Sequence, residues 1–325
     1  MINIDPHFIH NLTNKLKTFD NFSLYVHVNP DFDAFGAAFA FKAFLAVYFP
    51  HKKAYVMGSH NIKADGKDLF PFEAAPIDDA FVKNSLAIIF DTSNQERVLT
   101  QKHKIAKETV RIDHHPKTES FADLEWIDPA FSAAAEMVGY LILQMGYELN
   151  AEMAAYIYAG IITDTQRFSS SATTPQTFAL TAKLLETGFN RNKVHDAVYL
   201  KPLLEHKYFS YVLNKAKITP NGLAYALLKK GTYKQFGVVS PLPMVHALNN
   251  IKGVKIWTTC YFNEDIKKWI GSIRSRSIPI NNFAQMFGGG GHKYAAAFVL
   301  DDKRQFMKLV EIMDDFLAKQ KHVNS

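Results

Sequence analysis

The chain has 325 residues, 48% of them apolar and 21% charged, which is an ordinary globular composition and excludes a disordered or low-complexity protein. The formal net charge of +6 is compatible with a polyanionic ligand, but no Lys/Arg tract marks a nucleic-acid-binding tail. The single cysteine, Cys260, excludes an internal disulfide and a cysteine-based zinc site, and it suits a reducing, cytoplasmic location.

Met1–Pro6 has neither the basic region nor the apolar core of a signal peptide. Residues 8–19 read as a short amphipathic helix, Ser23–Val28 as a first strand, and Asn29-Pro30-Asp31 as the turn after it. The longest apolar run, Ala34–Phe49, is broken by Lys42 and falls short of the ~18–20 residues of a membrane span, so a buried helix is expected. Lys53–Met57 reads as a second strand. Ser85–Phe90 is continuously apolar, as a central strand of a parallel sheet would be, and Thr109–Ile112 is a fourth strand. Helices are expected at 132–146, 151–162 and 174–187, with Gly188 as a C-cap. Strands alternating with helices predict a doubly wound α/β domain over residues 1–190.

Residues 191–200 read as a linker. Beyond it, a smaller α+β domain over 201–325 is predicted. Its elements are a helix at Leu203–Lys215, a strand at Leu223–Leu228, a helix at 241–250, and strands Ile256–Phe262 and Lys268–Ile273 flanking a turn at Asn263-Glu264-Asp265. A short helix (281–286), the run Gly288-Gly289-Gly290-Gly291-His292, a strand (295–300) and a last helix (302–318) complete it.

Four acidic or imidazole clusters follow the apolar segments of the first domain. His27-Val-Asn-Pro-Asp31-Phe-Asp33 sets two carboxylates at period two beside an imidazole. Two such carboxylates repel unless a cation or a proton separates them, although an Asx-rich turn with Asp33 as N-cap is the alternative. Asp91-Thr-Ser-Asn94 follows the third strand, Asp113-His114-His115 the fourth, and Thr163-Asp164-Thr165 ends the apolar Ala159–Ile162. In doubly wound sheets ligands bind beyond the carboxyl ends of the strands, where these groups fall.

The ordered set of His-x-x-Pro-Asp-x-Asp-Ala, Asp-Thr-Ser, Asp-His-His-Pro and Gly-Ile-x-Thr-Asp-Thr resembles the DHH phosphoesterase superfamily, and Ser272-Ile-Arg-Ser275 with Gly288–Lys293 resembles its DHHA1 partner domain. The nanoRNase-like subfamily, with oligoribonuclease and pAp phosphatase activity, is the nearest pattern. The resemblance implies a site for two Mn²⁺ ions, with Mg²⁺, Co²⁺, Zn²⁺ or Fe²⁺ also compatible with imidazole and carboxylate ligands. One ion would take His27, Asp31 and Asp91, and the other Asp33, Asp91, His114 and Asp164. Asp113 would orient a histidine, and His115 would face the phosphate or the leaving oxygen. Arg274, Arg276, Gly289, Gly290, Gly291 and His292 would grip the substrate. The implied reaction is metal-assisted attack of water on phosphorus in very short RNA or in pAp, with no membrane partner and with a homodimer left open. Hydrolysis of pApA or cyclic di-AMP is the alternative; an inorganic pyrophosphatase and a non-catalytic binder of short nucleic acid are further ones. Phe32 stands where Gly is common in the family, Ala297 replaces a Gly, and Asn94 stands where an acid is often found. Phe32 would bear on substrate preference.

Overall fold

The computed structural model describes residues 4–58, 68–72, 78–238 and 241–323. The chain divides between Leu200 and Lys201 into two compact units.

The first unit contains helix α1 (Pro6–Thr18), strand β1 (Asn21–Tyr25), α2 (Phe32–Tyr48), β2 (Lys53–Val56), α3 (Asp79–Lys83), β3 (Ser85–Phe90), β4 (Glu108–Asp113), β5 (Leu124–Ile127), α4 (Ala134–Gln144), α5 (Ala151–Asp164), α6 (Pro175–Glu186) and α7 (Arg191–Tyr199). The strands pair in parallel in the order β2-β1-β3-β4-β5. All six residues of β3 are buried, as its unbroken apolar run requires of a strand at the sheet's centre. Strand order reverses between β1 and β3, the switch point outside whose carboxyl ends doubly wound sheets bind ligands.

Helix α2 is apolar almost all round and therefore lies inside the unit. Phe35 and Phe39 meet Phe70 and Phe72 there, and Tyr156 of α5 closes the group. Phe32 joins this cluster, its ring centroid 5.9 Å from that of Phe70. Its side chain thus has a packing role at the start of α2.

Two departures from the sequence expectations have local causes. β5 escapes it because Leu-Glu-Trp-Ile is four residues long, lies at the sheet edge and carries a charge in the middle. The stretch 191–200, which reads as a linker, is helical over Arg191–Tyr199, with Asn190 accepting from the Lys193 N–H as N-cap. Val194 and Val198 bury that helix against the first unit's core.

The second unit contains α8 (Leu203–Lys215), β6 (Lys217–Ile218), β7 (Leu223–Leu227), α9 (Thr232–Gln235), a 3₁₀ segment (Leu242–Leu248), β8 (Ile256–Asn263), β9 (Lys268–Ser275), α10 (Asn281–Gln285), β10 (Gly290–His292), β11 (Ala295–Leu300) and α11 (Lys303–Val323). Its sheet runs β10-β11-β9-β8-β7-β6, antiparallel except for β7 with β8. Period-two alternation splits the strands between two cores. Ile256, Cys260, Ile273 and Phe298 pack with Phe306 and Leu309 of α11, while Ala226 and Tyr261 pack with Tyr208 and Val212 of α8. An α/β unit with a parallel sheet followed by a smaller α+β unit is the architecture expected from the sequence. Among the described residues no helix is long and apolar enough to cross a membrane.

Candidate metal centre

The four clusters of the first unit come together at the carboxyl edge of its sheet. His27 follows β1 and Asp31 caps α2, accepting from the Asp33 and Ala34 N–H groups at 3.0 and 3.1 Å. Asp91 follows β3 in the left-handed backbone region (φ 52°), a conformation that costs a non-glycine residue energy and often marks a functional position. Asp113 ends β4, His114 and His115 follow it, and Asp164 ends α5.

Asp33 does not cap its own helix. Its side chain is fully buried and reaches the N-terminus of α4, where Oδ2 accepts from Ala134 N–H at 2.7 Å and Oδ1 from Ala135 N–H at 2.8 Å. Ala133, the N-cap of α4, has no capping side chain, so Asp33 satisfies that helix from across the core. Gly160 makes the approach possible: a Cβ there would lie 2.7 Å from Asp33 Oδ1 and 2.6 Å from Ala135 Cβ.

One ligand atom from each of His27, Asp31 and Asp91 lies within 4.8 Å of the others, and the same is true of Asp33, His114 and Asp164. Asp91 joins the two sets. Its Oδ2 is 3.4 Å from His27 Nε2, and its Oδ1 is 3.3 Å from His114 Nε2. His114 Nε2 is also 3.4 Å from Asp164 Oδ2 and 3.8 Å from Asp33 Oδ2. His27 Nδ1 lies 2.8 Å from the Val28 carbonyl and His114 Nδ1 3.4 Å from that of Phe131, which assigns the ring proton to Nδ1 and turns Nε2 inward on both.

The electrostatics of this cluster suit divalent cations. Asp33 is pushed up to about 8 by burial and by the neighbouring Asp91 carboxylate. Burial and the Asp33 and Asp31 charges raise Asp164. Burial would lower His27, but hydrogen bonds to Asp31 and Asp91 outweigh it and hold it at about 11. Burial likewise opposes protonation of His114, and Asp91, Asp164 and Asp33 overcome it. Protons thus supply the positive charge that carboxylates this close demand. Asp91 Oδ1 is buried and accepts no hydrogen bond, although two imidazole nitrogens lie 3.3 Å away. A buried lone pair without a donor, amid mixed nitrogen and oxygen ligands, fits a metal ion.

His115 and Asp113 stand beside this cluster. Asp113 Oδ1 accepts from His115 Nδ1 at 2.7 Å and from its backbone N–H at 3.2 Å. The other oxygen accepts from Arg111 Nη2 at 2.7 Å. His115 and Arg111 hold Asp113 below the usual carboxylate range against the effect of burial. Arg111 is absent from the sequence reading, although an arginine within the apolar run Thr-Val-Arg-Ile was a visible anomaly.

The other expected site residues lie in the second unit. Arg274 is on β9, its Nη1 donating to the Ile273 and Ala296 carbonyls at 2.9 and 3.2 Å. Among the described residues no carboxylate pairs with it, and burial lowers it to about 10. Arg276 Nη2 donates to Asn250 Oδ1 at 3.0 Å. The glycine run is more ordered than an open anion-binding loop. The Gly288 and Gly289 N–H groups donate to Gln285 and Ala284 carbonyls, and Gly290, Gly291 and His292 form β10 opposite Ala297, Ala296 and Ala295. Through β11, His292 is in register with Arg274. The side chain of His292 lies outside the described residues.

Residues 21–161 match the DHH family, N-terminal domain, and residues 240–319 match the DHHA1 domain. The uncharacterized protein MG371 of Mycoplasma genitalium is 82% identical, over 98% of this chain and 99% of its own length. The bifunctional oligoribonuclease and PAP phosphatase NrnA of Bacillus subtilis is 30% identical over 88% of this chain and 91% of its own. Mycoplasma genitalium also has a more distant relative, itself named bifunctional oligoribonuclease and PAP phosphatase NrnA, at 28% identity over 91% of this chain and 94% of its own. An exopolyphosphatase-related protein of Bacteroides fragilis, 23% identical, has the same fold, with a TM-score of 0.85 over 99% of both chains. The chain is a member of the DHH family, in the DHH/DHHA1 form to which the proteins named NrnA belong.

Proposed function

We propose that this protein is a metal-dependent phosphoesterase that hydrolyses very short oligoribonucleotides to mononucleotides and pAp to AMP. The observation that carries the reading is the pair of ligand sets, His27/Asp31/Asp91 and Asp33/His114/Asp164, joined through a buried Asp91 whose Oδ1 lacks a hydrogen-bond donor. The similarity to proteins named oligoribonuclease and PAP phosphatase supports the substrate class.

His27, Asp31 and Asp91 would hold one ion, and Asp33, Asp91, His114 and Asp164 the other; Mn²⁺ suits both sets. Bound ions supply Lewis acidity and a water made acidic enough to ionise near neutral pH. The chain's own residues do the rest. Ala134 and Ala135 N–H groups hold the Asp33 carboxyl group in place and aim it at the cluster. Asp113 holds the His115 ring through Nδ1, and the far side of that ring would donate a hydrogen bond to the departing oxygen. Residues 1–190 would carry the chemistry and residues 201–325 the substrate grip. Arg274, a buried guanidinium without a carboxylate partner among the described residues, suits a phosphate oxygen.

A second reading, hydrolysis of pApA or cyclic di-AMP, is favoured by one observation. Mycoplasma genitalium has both an 82% relative of this chain and a separate protein named NrnA at 28%. Two members in one organism at such different distances suit a division of substrates. A single Mn²⁺ assay panel decides: pAp, di- to pentaribonucleotides, pApA, cyclic di-AMP and pyrophosphate. Release of AMP from pAp or of mononucleotides from short RNA supports the first reading. Preference for pApA or cyclic di-AMP moves the assignment to the second, and turnover of none of the five rejects both.

A further inference from the structure

We infer that Arg111 is a positioning residue that holds Asp113, and through Asp113 the ring of His115, in the orientation used in the reaction. The inference rests on the phosphoesterase reading above.

Arg111 is the largest fully buried side chain of the protein's described core, at 0% exposure. A buried guanidinium costs several kcal/mol of hydration even after relaxation, roughly, and an apolar side chain of similar volume would fill the same place in β4 without that cost. Its contacts show what it does instead. Nη2 donates to Asp113 Oδ2 at 2.7 Å and to the Ser93 carbonyl at 2.9 Å, and Nη1 donates to the Glu119 carbonyl at 3.0 Å. The guanidinium carbon lies 4.6 Å from the centre of the Phe121 ring, and Nη1 lies 3.6 Å from Glu125 Oε1. One planar group therefore ties together the loop after β3, which begins at Asp91, the end of β4, and the loop that carries His115.

The geometry is specific to orientation. Asp113 has two oxygens, each committed to a different partner: Oδ2 to Arg111, Oδ1 to the ring and backbone of His115. Fixing Oδ2 fixes the carboxylate plane, and that plane sets where the His115 ring and its Nδ1 proton stand. A lysine at 111 would keep the charge but offer a single point donor in place of a planar fork. It could not reach Asp113, Ser93 and Glu119 at once.

The test is a double-mutant cycle in the full chain loaded with Mn²⁺, on the panel substrate turned over best. Arg111→Lys is expected to lower kcat about 10–100-fold, the range for residues that orient others at metal sites, with KM and bound Mn²⁺ within about twofold of wild type. In a His115→Ala background the same substitution is expected to cost less than about threefold, because its effect passes through the missing ring. Arg111→Met is made in parallel. In ¹⁵N spectra of metal-free protein, the His115 Nδ1–H signal should be sharp in wild type and lost or broadened in Arg111→Lys. Equal losses in both backgrounds, unchanged kcat, or failure of both variants to show a folding transition would overturn the inference and leave Arg111 a structural or dispensable residue. If wild type turns over nothing, the phosphoesterase reading fails, and the ¹⁵N comparison still decides whether Arg111 orients His115.

Discussion

Gly160→Ala tests whether helix packing and metal binding are joined at Asp33. The new Cβ would stand 2.7 Å from Asp33 Oδ1 and 3.1 Å from Asp33 Cα, and also 2.6 Å from Ala135 Cβ, where it has no flexible side-chain end to displace. Alanine in place of glycine within a helix gains about 1 kcal/mol. Overpacking of this kind costs about 1–3 kcal/mol. Moving Asp33 also weakens the bond from Ala135 N–H, and a hydrogen bond to a charged group is worth about 1.5–3 kcal/mol. The net expectation is a loss of about 1.5–5 kcal/mol, read as a lower urea midpoint, with Mn²⁺ affinity reduced at least about tenfold by calorimetric titration. Gly139→Ala is the control. It has the same propensity gain, but its closest neighbour is Leu180 Cδ2 at 2.9 Å, the end of a side chain that can turn aside. If Gly160→Ala unfolds with Gly139→Ala and binds Mn²⁺ as wild type does, the proposed link between that close approach and the metal centre is wrong.

Three further outcomes are expected. Asp91→Asn should weaken Mn²⁺ binding by at least about 100-fold and abolish turnover, since Asp91 belongs to one ligand set and its Oδ1 lies 3.3 Å from His114 Nε2 of the other; metal analysis after dialysis reads it directly. If Arg274 grips a substrate phosphate, Arg274→Lys should raise KM about 10–100-fold while kcat changes only a few-fold, because it removes planar donors and leaves the candidate metal centre untouched; steady-state kinetics on the preferred substrate separate the two constants. His246 is held down at about 4 by burial and by the Arg274 charge, so the unfolded chain binds more protons between that value and 6.5. Its contribution is fully present above pH 6.5 and is lost as pH falls towards 4, by about 3 kcal/mol at most. Urea unfolding at pH 7 and at pH 4.5 should show a smaller pH difference in His246→Gln than in wild type; equal differences would rule this out.

Much of the molecule was legible in the chain. The unbroken apolar run Ser85–Phe90 could only be satisfied by burial on both faces, and it is the central strand. Apolar residues all round Phe32–Tyr48 likewise required an interior helix. The edge strand Leu124–Ile127 was not legible, because a four-residue strand is specified by its neighbour more than by its own residues. The helix at Arg191–Tyr199 was hidden by a polar composition; only its seating on the first core shows why it forms.

The candidate centre divides in the same way. Spacing along the sequence determined which residue types would stand at the carboxyl ends of the strands, because strand alternation and strand termini are local matters. Three features needed the folded chain: Asp33 capping a helix 101 residues away, a glycine on α5 leaving room for that carboxylate, and Arg111 clamping two loops and the end of β4 around Asp113. The first two join segments more than 100 residues apart, and the third gathers the Ser93 and Glu119 carbonyls, 18 and 8 residues away, onto one side chain; no periodicity or motif encodes such contacts, and packing in three dimensions decides them.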